Sequence, residues 1–191
     1  AREELVRKSE QDFAKTTWEA IPEAEQAKIL TTGNQGGAEH SIRALLQNEG
    51  GYTPADGASG APAIYGINRK WHPEAFDKAA AVTKAQGTEA GKQYASEFYK
   101  KEFWDKYNVG SLPENVQTIV MDGVVNHHSG FANKLVDAAR SESPDALIQM
   151  RLGEYRRLAT SSPEKYGQSL AGWENRLKTV QPNSFCYIQG K

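Results

Sequence analysis

Apolar residues recur three or four positions apart through most of residues 38–180, and this spacing predicts helices almost throughout. The first such segment covers residues 38–49, and the glycine pair Gly50-Gly51 follows it. Its apolar face contains Ile42, Leu45 and Leu46. Glycine favours the left-handed backbone that commonly ends a helix. The pattern therefore predicts a helix that stops at Glu49.

Prolines and hydroxyl residues mark where the later helices begin. Pro73 suits the first turn of one helix, and Thr88 is expected to cap the next. Pro113 opens a further helix, and each of the pairs Ser143-Pro144 and Ser162-Pro163 joins a capping hydroxyl to a first-turn proline. These signals extend the helical prediction to the end of the patterned region.

The helix after Pro113 is predicted to lie at the centre of the protein, because apolar residues cover most of its circumference. These residues are Val116, Ile119, Val120, Met121, Val124 and Val125. The last predicted helix carries its apolar residues on one side, which indicates a core face. They are Tyr166, Leu170, Trp173, Leu177 and Val180.

One segment departs from the helical pattern. Residues 53–63 are rich in Pro, Ala, Gly and Ser, and they lead into the short run Ile64-Tyr65-Gly66-Ile67-Asn68. Such a composition predicts a loop or a small hairpin. The fold class is therefore all-α, with at most a small β-hairpin near residues 52–68.

Glu49 is a candidate general acid because of its position. It follows Ile42, Leu45 and Leu46 by seven, four and three residues, so it shares their apolar face. Partial desolvation on that face and the negative end of the helix dipole both favour the protonated carboxyl group. A proton held near neutral pH is what acid catalysis requires. The alternative is a helix-end glutamate whose tip is solvated.

The chain carries four separated motifs in a recognisable order. They are Glu49-Gly50-Gly51-Tyr52, Tyr65-Gly66-Ile67, Phe98-Tyr99 with Phe103-Trp104, and Asp122-Gly123-Val124-Val125-Asn126. In this order they resemble the glycoside hydrolase family 108 muramidases, which occur in bacteriophage lysins and bacterial secretion-associated proteins. The resemblance implies a lysozyme-like helical fold, cleavage of the glycan strands of peptidoglycan, and Glu49 as the catalytic acid.

The resemblance also implies a division of the chain. Residues 38–110 correspond to the catalytic part, and residues 111–180 include a segment similar to the peptidoglycan-binding region that usually follows it. Residues 1–37 are highly charged and end in a glycine-rich stretch, which predicts a helical leader and a flexible joint. Residues 181–191 form a tail. The leader is expected to connect to an upstream part of a virion or secretion protein.

In one place the chain departs from the family pattern. The family usually shows a polar pair just before its Trp-Gly-Ile motif, whereas this chain has Ala63-Ile64 before Tyr65-Gly66-Ile67. A polar group expected near the cleaved bond is missing there or comes from Ser59 or Asn68.

Glycoside hydrolysis needs a second group that activates water or stabilises positive charge on the sugar ring. Asp56 is the nearest acid in sequence and is the candidate; the alternative is that it caps a turn beside Gly57. Well-separated carboxyl groups would favour an inverting reaction. A single acid would favour help from the substrate's own groups or a lytic transglycosylase route.

Several side chains are candidates for substrate binding. Asp122 and Asn126 are one helical turn apart on the polar stripe, and the resemblance places them near the cleft; a solvated helix face and a structural hydrogen bond are the alternatives. Tyr52, Tyr65 and Trp71 are candidates for stacking on sugar rings. For Tyr65, packing under the loop is the favoured interpretation.

The basic residues of the C-terminal helices have two interpretations. Arg151, Arg156, Arg157 and Arg176 are candidates for binding the carboxylates of peptidoglycan stem peptides. Ion pairs on the helix surface with Glu154 or Glu174 are the favoured alternative. No metal is expected, because His127 and His128, as neighbours on a helix, would point about 100 degrees apart. No cofactor is expected for the proposed reaction.

Composition narrows the possible partners. Among 191 residues, 23 basic side chains balance 24 acidic ones, so no strong positive field favours nucleic acid. No apolar run approaches the roughly 20 residues that cross a bilayer. Cys186 is the single cysteine, so no disulfide within the chain is possible. With no secretory signal at Ala1, the protein is expected to be made in the cytoplasm and to act in the periplasm or cell wall.

The sequence therefore predicts an N-acetylmuramidase that cleaves the bond between N-acetylmuramic acid and N-acetylglucosamine. A lytic transglycosylase acting on the same bond is the alternative among enzymes. A non-catalytic glycan-binding module of a virion is the alternative outside enzymes.

Overall fold

A computed structural model describes residues 37–55 and 59–180. The leader, the tail and Asp56 lie outside these described residues. The helices are α1 (Ala38–Asn48), α2 (Pro73–Gln86), α3 (Thr88–Tyr99), α4 (Glu114–Asn126), α5 (Ser129–Ala138), α6 (Pro144–Ser161), α7 (Pro163–Tyr166) and α8 (Leu170–Thr179). A π-helix covers Lys100–Asp105, and short 3-10 turns cover Val109–Ser111 and Gly167–Ser169. The predicted all-α class is confirmed, and the architecture agrees with the lysozyme-like fold.

A small antiparallel sheet fills the region predicted as a hairpin. Its strands are β1 (Tyr52–Thr53), β2 (Ala63–Ile64) and β3 (Ile67–Asn68), in that spatial order. Tyr65 and Gly66 join β2 to β3, and both have positive φ angles, 51° and 77°. Positive φ at both central residues is what the type I′ hairpin turn requires.

The helix before this sheet ends where it was predicted to end but by a different conformation. Glu49 caps α1 in extended backbone, with φ −91° and ψ 127°. Neither Gly50 nor Gly51 has a positive φ, so the predicted left-handed ending is wrong. The backbone extends instead because the carbonyl of Gly51 accepts a hydrogen bond from the amide of Tyr65 at 3.1 Å, which ties this segment to the sheet.

Helix α4 is central, as its apolar circumference predicts. Eight of its residues are buried, including the polar Gln117 and Asp122. One apolar cluster runs from Ile42 on α1 through α4 to Leu177 on α8, so residues on both sides of position 110 share a core. The side chains of Ser41 and Thr118 also hydrogen-bond at 3.0 Å between α1 and α4.

Two local predictions need correction. Thr88 does not cap α3, because Gly87 takes the capping position with φ 92°. The final helix is interrupted: α7 has four residues and is followed by a 3-10 turn before α8 begins. The predicted cap at Ser143 is confirmed, because the Ser143 hydroxyl accepts a hydrogen bond from the amide of Ala146 at 3.2 Å at the start of α6.

No helix among the described residues is long and apolar enough to cross a membrane.

The contact of α4 with α5 and α6 gives a stability prediction. A methyl group on Gly123 would overlap Leu135 and meet the Arg151 side chain at 3.5 Å. Gly123→Ala should therefore lower the free energy of unfolding by about 1–3 kcal/mol, measured by urea denaturation. Gly153→Ala is the matched control, because nothing lies within 4 Å of its added methyl group and α6 should gain about 0.5–1 kcal/mol. Equal effects of the two changes would contradict the close packing at Gly123.

Candidate active site

Glu49 occupies the position that the helix pattern predicts for it. Ile42 and Leu45 on the same face are buried, with 4% and 1% of their surface exposed. The side chain of Glu49 is 18% exposed and lines a large cleft in the described part of the chain. A carboxyl group is thus held at the end of α1, between the core and an open cavity.

The β2–β3 turn packs directly against this carboxyl group. A methyl group on Gly66 would lie 2.5 Å from Oε2 of Glu49 and 2.6 Å from the hydroxyl of Tyr99. Only glycine therefore lets the turn approach so closely, and its φ of 77° is also one that other residues rarely adopt. The close approach explains why a Tyr-Gly pair stands at this turn.

Tyr99 supports the turn from beneath. Its buried hydroxyl donates a hydrogen bond to the carbonyl of Tyr65 at 2.9 Å. Burial raises the pKa of the Tyr99 phenol, and the nearby charge of Glu49 raises it further. The phenol therefore stays protonated and keeps donating to the turn.

Arg176 on α8 is the charged partner of Glu49. Its Nη2 donates to Oε1 of Glu49 at 2.7 Å, and its Nε donates to Oδ1 of Asp122 at 2.8 Å. The sequence indicated other partners for Arg176, so this contact with Glu49 is a finding of the structure. The residue that supplies it lies 127 positions away in sequence.

Arg151 holds the other side of Asp122. Its Nη2 donates to Oδ2 of Asp122 at 2.6 Å, and the guanidinium also donates to the carbonyl of Ile119 and to Nε2 of His127. Burial raises the pKa of Asp122, but Arg151 and Arg176 outweigh it and hold that pKa below its usual value. Asp122 therefore stays ionised inside the protein.

This buried network corrects two sequence interpretations. Arg151 is fully buried and Arg176 is 17% exposed, so neither pairs with Glu154 or Glu174 on a helix surface. That interpretation holds for Arg157, which bonds Glu154 at 2.7 Å, and for Arg156, which lies 3.5 Å from Glu174.

The cleft has a volume of about 1130 Å³ and collects side chains from most elements. Its lining includes Glu49 and Gly66; Asn68 and Trp71; His72, Phe98 and Phe103; Asn126 and His127; and Tyr155, Tyr166, Trp173 and Arg176. Among the residues that the structure describes, Glu49 is the only carboxylate in this lining.

The structure separates the predicted substrate-binding residues into two groups. Asn68, Trp71 and Asn126 line the cleft, whereas Tyr52, Tyr65 and Asp122 do not. Tyr65 is 4% exposed and its hydroxyl lies 3.1 Å from that of Thr83, so it packs under the sheet. Tyr65 and Asp122 are both buried away from the cavity, which favours packing under the loop for Tyr65 and a structural role for Asp122.

The remaining polar candidates have partners within the protein. The Asn126 amide donates to the carbonyl oxygen of Asp122 at 2.8 Å, so it also has a structural hydrogen bond. The Asn68 amide donates to Oγ of Ser59 at 2.6 Å and its oxygen accepts from the amide of Lys70 at 2.9 Å. Ser59 and Asn68, both named as replacements for the missing polar pair, thus form one unit beside Ala63.

Aromatic stacks form two parts of the cleft, and the sequence indicated neither. His72 packs edge-on against Phe98, with 5.0 Å between ring centroids. Farther along, Trp173 stacks on Tyr155 at 4.8 Å, and Tyr155 stacks on His127 at 4.5 Å. Their helical spacing suggests core residues, and only the tertiary structure shows that they also face the cavity.

The two adjacent histidines are not on a helix. His127 ends α4 and His128 caps α5, accepting a hydrogen bond from the amide of Phe131 at 3.3 Å. Burial lowers the pKa of His127 to about 3, and Arg151 lowers it while Asp122 opposes the shift. His127 is therefore neutral. Its Nε2 carries no proton and accepts the hydrogen bond from Nε of Arg151.

Comparison with protein families matches residues 42–128 to the family described as Glycosyl hydrolase 108. No curated protein and no solved structure matches the chain. The matched residues include Glu49, Gly66 and Asp122, while Arg151 and Arg176 lie beyond them. Part of the network around Glu49 therefore comes from outside the matched segment.

The low pKa of His127 gives a pH prediction. In the unfolded chain this histidine binds a proton near pH 6.5, whereas in the folded protein it stays neutral down to about pH 3. The stabilisation linked to this neutral histidine is fully present above pH 6.5 and is lost as the pH falls. The free energy of unfolding should therefore decrease by about 2 kcal/mol between pH 7.5 and 5 through this group alone. His127→Gln, which does not titrate, should reduce the loss of unfolding free energy over this range by that amount. Urea denaturation at both pH values measures it, and an unchanged pH dependence would contradict the assignment.

Proposed function

We propose that the chain is an N-acetylmuramidase with Glu49 as its general acid. The match of residues 42–128 to the glycosyl hydrolase 108 family supports a glycoside hydrolase that acts on peptidoglycan. The bond attacked is the one between N-acetylmuramic acid and N-acetylglucosamine. The observation that carries the proposal is the position of Glu49 as the sole carboxylate lining the cleft among the described residues.

The two oxygens of Glu49 have different surroundings. Oε1 accepts the hydrogen bond from Arg176, while among the described residues no hydrogen bond reaches Oε2. Oε2 is therefore the oxygen that would carry the transferable proton. In the proposed step that proton passes to the glycosidic oxygen, the bond to the anomeric carbon breaks, and its electron pair stays on the departing sugar.

The cleft has the properties that a glycan strand needs. Sugar rings present apolar faces that pack on aromatic side chains and hydroxyl groups that need polar partners. Trp71, which is 57% exposed, stands at one part of the lining, and the stack of Trp173 on Tyr155 forms another. Glu49 and the Asn126 amide line the same cavity.

Residues 111–180 are proposed to contribute peptidoglycan binding. Tyr155, Tyr166 and Trp173 all belong to this part and line the same cleft as Glu49. The proposed site of action is the bacterial cell wall or periplasm, with the protein delivered as a module of a phage virion or lysis protein.

A lytic transglycosylase outcome is the second candidate, and it is favoured by the single carboxylate in the described part of the cleft. Both reactions use the same acid. In hydrolysis water attacks the anomeric carbon, whereas in the transglycosylase reaction the muramic acid's own hydroxyl attacks it and leaves an anhydro end. Mass spectrometry of released muropeptides separates the two, because the products differ by one water.

The proposal for Asp56 is tested by the same product analysis. If Asp56 activates water, Asp56→Asn should lower hydrolysis strongly and leave sacculus binding intact. Wild-type turnover by that variant would remove Asp56 from the reaction.

The role of Glu49 is tested by Glu49→Gln, which removes the proton donor and keeps the side-chain shape. Clearing of purified sacculi in a zymogram should fall by about 10²–10⁴-fold, while far-UV circular dichroism and sacculus pull-down stay unchanged. Glu39→Gln is the matched control, because Glu39 lies on the same helix with 85% of its side chain exposed and should leave clearing intact.

Wild-type clearing by Glu49→Gln would contradict the assignment of the acid. A wild-type protein that binds sacculi without clearing them would contradict the enzymatic proposal and support a glycan-binding module.

A further inference from the structure

Arg176 connects Glu49 to a part of the protein outside the family match. It lies on α8, beyond residues 42–128. Its guanidinium group bridges two carboxylates: Nη2 lies 2.7 Å from Oε1 of Glu49, and Nε lies 2.8 Å from Oδ1 of Asp122. A planar guanidinium bound at two points has a fixed orientation, so it fixes the carboxylate oxygen that it contacts.

Arg176 is itself held in place by the buried charges behind it. Asp122 is 1% exposed, and its second oxygen is bound by the fully buried Arg151. If Arg176 rotated away, Asp122 would keep only one of its cationic partners in a site that water does not reach. Leaving a buried charge undercompensated is strongly unfavourable, so the geometry resists displacement.

We propose that Arg176 is a positioning residue for Glu49, fixing Oε1 and leaving Oε2 to hold the proton that is transferred. This inference rests on the proposed function, in which Glu49 is the acid. When the proton passes to the glycosidic oxygen, Glu49 becomes a carboxylate and Arg176 keeps its own proton throughout. The ion pair then stabilises the form of Glu49 that proton transfer produces.

The other groups around Glu49 do not supply this charge. The β2–β3 turn presents the backbone at Gly66, and α3 presents the Tyr99 hydroxyl, which donates to the carbonyl of Tyr65. From α4, Asp122 lies behind Arg176. Among the described residues, Arg176 is the cation in contact with Glu49. The C-terminal helices are therefore part of the catalytic unit and not a separable binding module.

The test compares Arg176→Gln with wild type in two measurements. Carbon-13 NMR of labelled glutamate follows the ionisation of Glu49, whose signal is identified by its absence in Glu49→Gln. Without the guanidinium, this carboxyl group should titrate at a higher pH than in wild type. On soluble peptidoglycan fragments, kcat at the pH optimum should fall about 100-fold, with the alkaline limb of the pH profile moved to higher pH and KM changed much less.

Arg156→Gln is the matched control. Arg156 also joins α6 to α8, through its contact with Glu174 at 3.5 Å, but it does not reach Glu49. Removing it should leave both the NMR titration and kcat at wild-type values, so a loss caused only by loosened packing of α8 would show in both variants.

Arg176→Lys keeps the positive charge but lacks the planar fork that bridges two carboxylates. In Arg176→Lys, the NMR titration of Glu49 should lie closer to that of wild type than it does in Arg176→Gln, and kcat should still fall.

If circular dichroism shows that Arg176→Gln does not fold, Arg176→Lys decides the question, and wild-type kcat in that variant would overturn the proposal. An unchanged Glu49 titration and unchanged kcat in folded Arg176→Gln would also overturn it. If the wild-type protein shows no turnover, the proposed function is contradicted and not the role of Arg176. The NMR comparison still tests the contact between Arg176 and Glu49 in that case.

Discussion

The structure depends on a chain of charges that joins the buried pair Arg151–Asp122 to the partly buried pair Arg176–Glu49. Two guanidinium groups face two carboxylates at 2.6 to 2.8 Å, so the charges balance within the network. Desolvating such groups is expensive, and the cost is offset only when every partner is present with good hydrogen-bond geometry. Removal of Arg151 or Asp122, the two fully buried members, is expected to cost about 3–5 kcal/mol, far more than a surface ion pair contributes.

The same network explains how the candidate catalytic carboxyl group can lie at a helix end, neither fully exposed to solvent nor buried in the core. Helix α1 brings Glu49 to the cavity, the Gly66 turn lies beside Oε2, and Arg176 binds Oε1. Because Asp122 anchors Arg176, the central helix also sets the position of the candidate acid. The aromatic stacks then provide the surfaces against which a glycan strand would lie.

Much of the fold was predictable because it follows from local patterns. Helical spacing identified α1 and the central α4, and the Ser143-Pro144 pair located the start of α6. Local patterns failed where tertiary hydrogen bonds set the backbone. Glu49 takes an extended conformation because the next residues join the sheet, which the glycine pair alone does not reveal.

The candidate site was predictable only in part, for a similar reason. The helix pattern identified Glu49, but it left Asp122 open between sugar binding and a structural hydrogen bond, and for Arg176 surface ion pairing was the favoured interpretation. Both side chains instead turn toward a partner distant in sequence, and periodicity carries no information on such pairs. An acid on the stripe of an otherwise apolar helix was the one signal of a buried ion pair. Trp173 and Tyr155 were similarly ambiguous, because core and cleft positions share the same apolar spacing.

The central claim is that the carboxyl group at position 49, held by Arg176, meets the glycosidic oxygen of a peptidoglycan strand in this cleft. A crystal structure of the Glu49→Gln variant with a peptidoglycan tetrasaccharide tests it most directly. We predict that the glycosidic oxygen lies about 2.6–3.2 Å from the side chain at position 49, with Arg176 still bound to Asp122. A glycan bound elsewhere, or one whose glycosidic oxygens all lie beyond hydrogen-bond reach of that side chain, would contradict it.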